Sequence, residues 1–250
     1  MRLQLADVRH HLASLRRPLP AVLGTAALAV VSIGTAAMLN QSPEPADAHV
    51  TGAAAALSTA APERPAAPAE AAKPDPLLLA PEAKEVSYDF QFQPNFYFCG
   101  PASTRIALSS SVNAPSQSDL AGLLGTTVNG TNSAQDTTRA LNQVLGRDAY
   151  QTHWIPGQRA SGAQAEQLQR DVVRAIGEGR GVVANIVGGA TDVTGRYHEF
   201  GGGHYISIIG YRDRGRAVEI ADPSGMFGPR TYWMETYPMA NWVASRGYSA

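Results

Sequence analysis

Apolar positions divide this chain of 250 residues into three stretches with different patterns. Residues 1–17 carry Arg2, Arg9, Arg16 and Arg17 against Asp7 alone, and Leu19 to Leu39 then runs without a charge. Residues 41–85 are rich in Ala, Pro, Glu and Ser and show little periodicity. From residue 86 onward the pattern becomes that of a folded domain. Tyr88, Phe90 and Phe92 alternate with Asp89 and Gln91, which predicts a short strand. Pro94 and Asn95 mark a turn. Cys99-Gly100-Pro101 opens a helix, since the missing proline N–H costs nothing in a first turn, and Ile106, Ala107 and Leu108 continue it. Ser116 or Ser118 caps a short helix that Gly125 closes. Asn132 or Ser133 caps another, through Leu141, Val144 and Leu145, that Gly146 closes. Tyr150 to Ile155 reads as a strand. Ser161 begins a longer helix with Leu168, Val172, Val173 and Ile176 on one face.

After that helix the period shortens. Gly181 to Val187, His204 to Tyr211, Val218 to Ala221 and Thr231 to Met234 read as strands. Arg212-Asp213-Arg214-Gly215 reads as the hairpin turn between the second and third, and Tyr237 to Ser245 as a closing helix. The Gly-rich segment 188–203 is expected to be a flap rather than a strand. Helices first and an antiparallel sheet afterwards predict an α+β fold with the two segregated.

Composition sharpens this division. Almost every aromatic residue lies from Tyr88 onward, so residues 86–250 are expected to form one domain, large enough to bury a core without staples. A basic N-terminus ahead of an uncharged apolar run predicts that residues 1–40 are an export signal. Two readings stay open: cleavage near Ala46-Asp47-Ala48, or retention as a signal anchor and membrane tether. Both put the domain outside the cytoplasm, because the arginines stay inside. Residues 41–85 are expected to be a disordered spacer. The net charge is -1, and the arginines and carboxylates of the domain cancel, which excludes nucleic acid as a partner.

A single cysteine, Cys99, excludes an intramolecular disulfide. A leftover thiol in an exported chain is an intermolecular link, a reactive group, or a buried apolar residue. Its position decides among these. A helix N-terminus stabilises a thiolate through unpaired N–H groups and the helix dipole. His204, after Gly201-Gly202-Gly203, stands at a strand start, and Asp222 follows the next strand. The hairpin turn lies midway between them, so both fall at one edge of the sheet, where a carboxylate can hold an imidazole that ionises a thiol. Gln93, on the approach to Cys99, can join the Cys99 N–H as an oxyanion donor. His198 is the rival base. His198, Glu199, His204 and Asp222 as a metal site fit no common zinc spacing.

Gln93 with Cys99-Gly-Pro-Ala, then Gly-His204-Tyr-Ile-Ser-Ile-Ile-Gly-Tyr, then Asp222-Pro-Ser-Gly, resembles the C39-like cysteine peptidases. Phe98 stands where many of those proteins carry Asp or Asn, and an accompanying ATP-binding cassette is not expected. The resemblance implies a papain-like fold and no cofactor. It implies Cys99 as nucleophile, His204 as base, Asp222 as its orienter and Gln93 as oxyanion donor. The expected substrate is a peptide or protein, cut at an amide bond through a thioester. An amidase or acyl or amine transferase acting on wall peptides, and a silent binding module of the same fold, are the alternatives.

Overall fold

A computed structural model describes residues 75–225 and 230–250. The predicted export signal, and the linker up to residue 74, lie outside the described residues. Folding begins earlier than residue 86. Asp75 caps a one-turn helix, α1 (Pro76–Leu79), whose Leu77 packs on the core while Leu78 and Leu79 stay exposed. Strand β1 (Lys84–Glu85) then pairs with a later strand.

Helices α2 (Cys99–Ser109), α3 (Gln117–Leu124) and α4 (Ala134–Leu145) follow; Ser133 stands at the N-cap of α4, but neither it nor Phe98 before α2 makes a side-chain cap bond. Ser116 accepts from Asp119 N, and Gly125 and Gly146 end their helices in the left-handed conformation that glycine adopts without strain. Strand β2 (Thr152–His153) is short, and α5 (Gly162–Gly177) opens with a full capping box between Ser161 and Gln164. Then come β3 (Val182–Thr191), β4 (Tyr197–Arg212), β5 (Ala217–Ala221), β6 (Thr231–Glu235), α6 (Thr236–Val243) and β7 (Tyr248–Ser249).

The sheet is antiparallel throughout, in the order β2-β7-β3-β4-β5-β6, with β1 added on β4. Side chains alternate along it. Val182, Ala184 and Ile186 of β3, with Ile206 and Ile208 of β4, join a cluster with α5 and α6. Val183 and Tyr205 join a second cluster with α2, α3 and α4. The fold is therefore α+β, with α2, which begins at Cys99, and the helices after it laid on the sheet that carries His204. Ser207 Oγ donates to Ser103 O at 2.7 Å in the interior, one turn into α2, and sets the helix against the strand.

Two expectations are corrected. Residues 188–203 are not a flap: they lengthen β3 and β4 into one hairpin whose turn is held by Asp192 Oδ1, which accepts from Thr194 N, Thr194 Oγ1 and Arg196 N. His198 accordingly lies on β4 itself. Residues 88–92 form no strand. Asp89 N donates to Ser109 Oγ and Gln93 N to Pro223 O, so these amides meet a side chain and a turn rather than a sheet edge.

Candidate active site

Cys99 is the first residue of α2 and is buried. The first N–H groups of a helix have no partner within it. In α2 the bond from Ala102 N to Phe98 O, at 2.9 Å, precedes the regular ladder, and Pro101 has no N–H. The N–H groups of Cys99 and Gly100 are thus directed out of the helix beside the thiol. Burial pushes the Cys99 pKa up. The His204 hydrogen bond and charge, with the N–H groups of Tyr205 and Gly100, more than offset it, and the thiol ends below its usual range.

His204 enters from β4. Opposite it on β3 stands Ile186, and the next matched pair is Gly188 with Phe200, so Gly201–Gly203 bulge out of the ladder just before the histidine. Gly203 takes φ 91°, a conformation open to glycine and strained for other residues. The bulge returns the chain so that the His204 ring stacks on Phe200, with centroids 4.0 Å apart. His204 Nε2 lies 2.9 Å from Asp222 Oδ1, which leaves Nδ1 as the ring nitrogen for Cys99. Burial alone pulls the imidazole pKa down. The hydrogen bonds and charges of Asp222 and Cys99 outweigh it and raise the group to about 9.

Asp222 follows β5, and the register Ser207↔Ala221 sets it beside the start of the apolar half of β4. Its carboxylate accepts from Ser224 N at 2.8 Å and from Tyr232 OH at 3.3 Å. Burial raises its pKa, but the bond and charge of His204 and the Ser224 N–H bring it below the usual carboxylate range. The hairpin thus brings together the three side chains that the sequence separates. A lowered thiol beside a raised imidazole is the condition for a thiolate–imidazolium pair at neutral pH.

Gln93 flanks this group, its N–H bonded at 3.0 Å to the carbonyl of Pro223, next to Asp222. Its Nε2 donates one hydrogen to Asn95 O at 2.8 Å, and its buried Oε1 meets no partner among the described residues. The second hydrogen of the amide is left for another acceptor. His198 is excluded as the base at Cys99: its Nε2 lies 2.9 Å from Asp192 Oδ2, and its ring stacks on Tyr232. The two histidines therefore take different carboxylates. No group of three or more His, Cys, Asp or Glu able to hold a metal occurs among the described residues.

The profile of the Peptidase_C39 like family matches residues 83–250. The chain belongs to that family. For this C39-like chain no curated protein matches in sequence. Among solved structures it is similar to the peptidase domain of Streptococcus ComA, a bifunctional ABC transporter of a quorum-sensing pathway. That similarity has 16% identity and a TM-score of 0.42, and covers 65% of this chain and 96% of that one. A Bacillus anthracis protein described as C39-like matches at 14% identity and TM-score 0.44, over 66% and 96% of the two chains. A double-glycine-motif protease of an AMS/PCAT transporter, solved with a leader peptide, matches at 14% identity and TM-score 0.40, over 66% and 91%.

Family membership supports a cysteine peptidase domain. A cleft of about 500 Å³ opens at the thiol. Its walls include residues that sequence reasoning missed. Thr131 and Asn185 bracket Tyr205, whose hydroxyl accepts from Asn185 Nδ2 at 2.9 Å and donates to Thr131 O at 3.3 Å. Arg246 reaches in from the segment after α6. Phe96 and Val128, 82% and 68% exposed, form an apolar rim. Asn129-Gly130 is a turn dipeptide, a local signal that marks a loop without marking a site.

Proposed function

We propose that this chain is a cysteine peptidase that hydrolyses a peptide amide bond through a thioester on Cys99. The observation that carries the reading is the 2.9 Å contact of buried Asp222 with His204, whose ring bonds in turn to a thiol held below its usual pKa. In the first half, the Cys99 thiolate attacks the carbonyl carbon and the oxygen takes the negative charge. The Cys99 N–H and the second amide hydrogen of Gln93 bind that oxyanion. His204 gives its Nδ1 proton to the leaving amine, the C–N bond breaks, and a thioester remains. In the second half, neutral His204 takes a proton from water, hydroxide adds to the thioester carbonyl, and the C–S bond breaks. The acid leaves and the thiolate–imidazolium pair re-forms. Asp222 fixes the ring orientation and stabilises its charged form throughout.

Two measurements test this. Alkylation of Cys99 by iodoacetamide at mildly acidic pH is expected to outrun that of free cysteine, and equal rates would remove the activated thiolate. Mass analysis of peptides incubated with the protein is expected to show new free termini and no amine adducts. Adducts would make the chain a transferase, and intact peptides beside an inert Cys99 would make it a binding module. The arginine-flanked apolar run further supports action outside the cytoplasm. A C-terminal reporter active only after export tests that placement, and activity confined to the cytoplasm would reject it.

A further inference from the structure

Arg246 is the one arginine that borders the cleft at Cys99 among the described residues, and no carboxylate borders the cleft beside it. It is half-buried, yet no Asp, Glu or chain terminus among the described residues lies within ion-pair distance of its guanidinium. The charges of Cys99 and, less strongly, Asp136 reach Tyr205 on the same wall, and Asp136 is held by Arg139 at 2.7 Å. The position of Arg246 is built. Ser245 N donates to Ile155 O, and both Arg246 N and Gly247 N donate to Val243 O, which pins the turn between α6 and β7. A Cβ at Gly203 would stand 3.7 Å from Arg246 Nη2, so the guanidinium rests on the glycine that directly precedes His204.

We infer that Arg246 forms a carboxylate-binding subsite that selects peptides with an anionic group within one or two residues of the bond to be cut. This rests on the peptidase reading and names its substrate class. An unpaired guanidinium held half out of water gains most from a planar, bidentate anion, and carboxylate is the anion that peptides carry. The neighbouring Asn185 amide and the hydroxyl of Thr131 make the same wall polar without neutralising it. Two sources supply this chemistry: an Asp or Glu side chain, or the free C-terminus of a short peptide.

The test uses the full chain carrying Cys99→Ser, so that binding is read without turnover. A library of short peptides is made in matched pairs: Asp against Asn at each position, and C-terminal acid against amide. Acidic members are expected to bind about tenfold or more tightly than their neutral twins, with the preference shrinking as salt rises. Preference within Asp/Asn pairs assigns a side chain, and preference within acid/amide pairs assigns a C-terminus. Arg246→Gln is expected to abolish the preference, Arg246→Lys to keep part of it, and Arg246→Glu to turn it toward lysine-bearing members. Equal binding of all pairs to the Arg246 protein, or binding of none, overturns the subsite whether or not the variants fold. Fast alkylation of Cys99 with no acidic preference would end this inference alone. An inert Cys99 with the preference intact would end the peptidase reading and leave the subsite standing.

Discussion

At Cys99 and His204 two opposing effects are decided by contact rather than by burial. Burial disfavours both the thiolate and the imidazolium, so an isolated pair at this depth would be neutral. Mutual hydrogen bonding and the Asp222 carboxylate reverse that. The active form requires a deprotonated thiol and a protonated ring. kcat/KM is therefore expected to rise as pH passes the lowered thiol pKa and to fall near pH 9, where the imidazolium loses its proton. Asp222→Asn removes the carboxylate charge that raises His204. Its alkaline limb is expected to move to lower pH, measured by pH–rate profiles and by the ultraviolet absorbance of the thiolate. An unmoved limb would deny Asp222 its role. Gln93→Ala is expected to cost about 2.7–4 kcal/mol of transition-state stabilisation, seen in kcat more than in KM, with little change in unfolding midpoint. Loss of folding, or unchanged turnover, would count against an oxyanion role.

At the scale of elements, the site depends on α2 meeting the sheet and the loop 126–132 at close range. A Cβ on Gly100 would overlap the Thr131 hydroxyl, which itself bonds Thr126 Oγ1 at 2.8 Å. Thr131 is β-branched and tethered, so it has little room to turn aside. Gly100→Ala is expected to lose about 1–3 kcal/mol in urea unfolding and to slow Cys99 alkylation. The double variant with Thr131→Gly is expected to recover part of both losses, and additive losses would place the strain elsewhere. The β3–β4 hairpin was the element least visible beforehand. Its glycines argue against strand by propensity, yet Gly189 is where the Tyr197 ring lies against the backbone, leaving no space for a Cβ. Cross-strand packing overrode the local preference. Residues 88–92 erred the other way, since their alternation was genuine but no strand edge faced them.

For the molecule as a whole, the buried apolar residues that form the two clusters run from Val86 to the C-terminus, and the family match begins at residue 83. A chain of residues 75–250 is therefore expected to unfold cooperatively and to keep the Cys99 alkylation rate of the full chain. Molten behaviour by near-ultraviolet circular dichroism, or a slow thiol, would show that residues 1–74 belong to the fold. No described helix is long and apolar enough to cross a membrane. The two readings of the apolar run Leu19 to Leu39 differ in outcome: if it is an anchor, its removal is expected to release the protein from the membrane fraction, and if it is cleaved, the removal is expected to leave the fractionation of the mature domain unchanged.

The order of elements from α2 to α6, the helix start at Cys99 and the pairing of the strands that carry His204 and lead to Asp222 were legible in the sequence, because caps, glycine stops and hairpin symmetry act over a few residues. His204 was expected at a strand start and instead lies inside β4, because the glycine-rich segment before it extends that strand. Tertiary structure alone decided that His198 takes Asp192, where the Gln93 amide is bonded, and that Arg246 stands over Gly203. Those outcomes depend on the bulge in β4 and on contacts between residues far apart in the chain, where no local periodicity or spacing carries information.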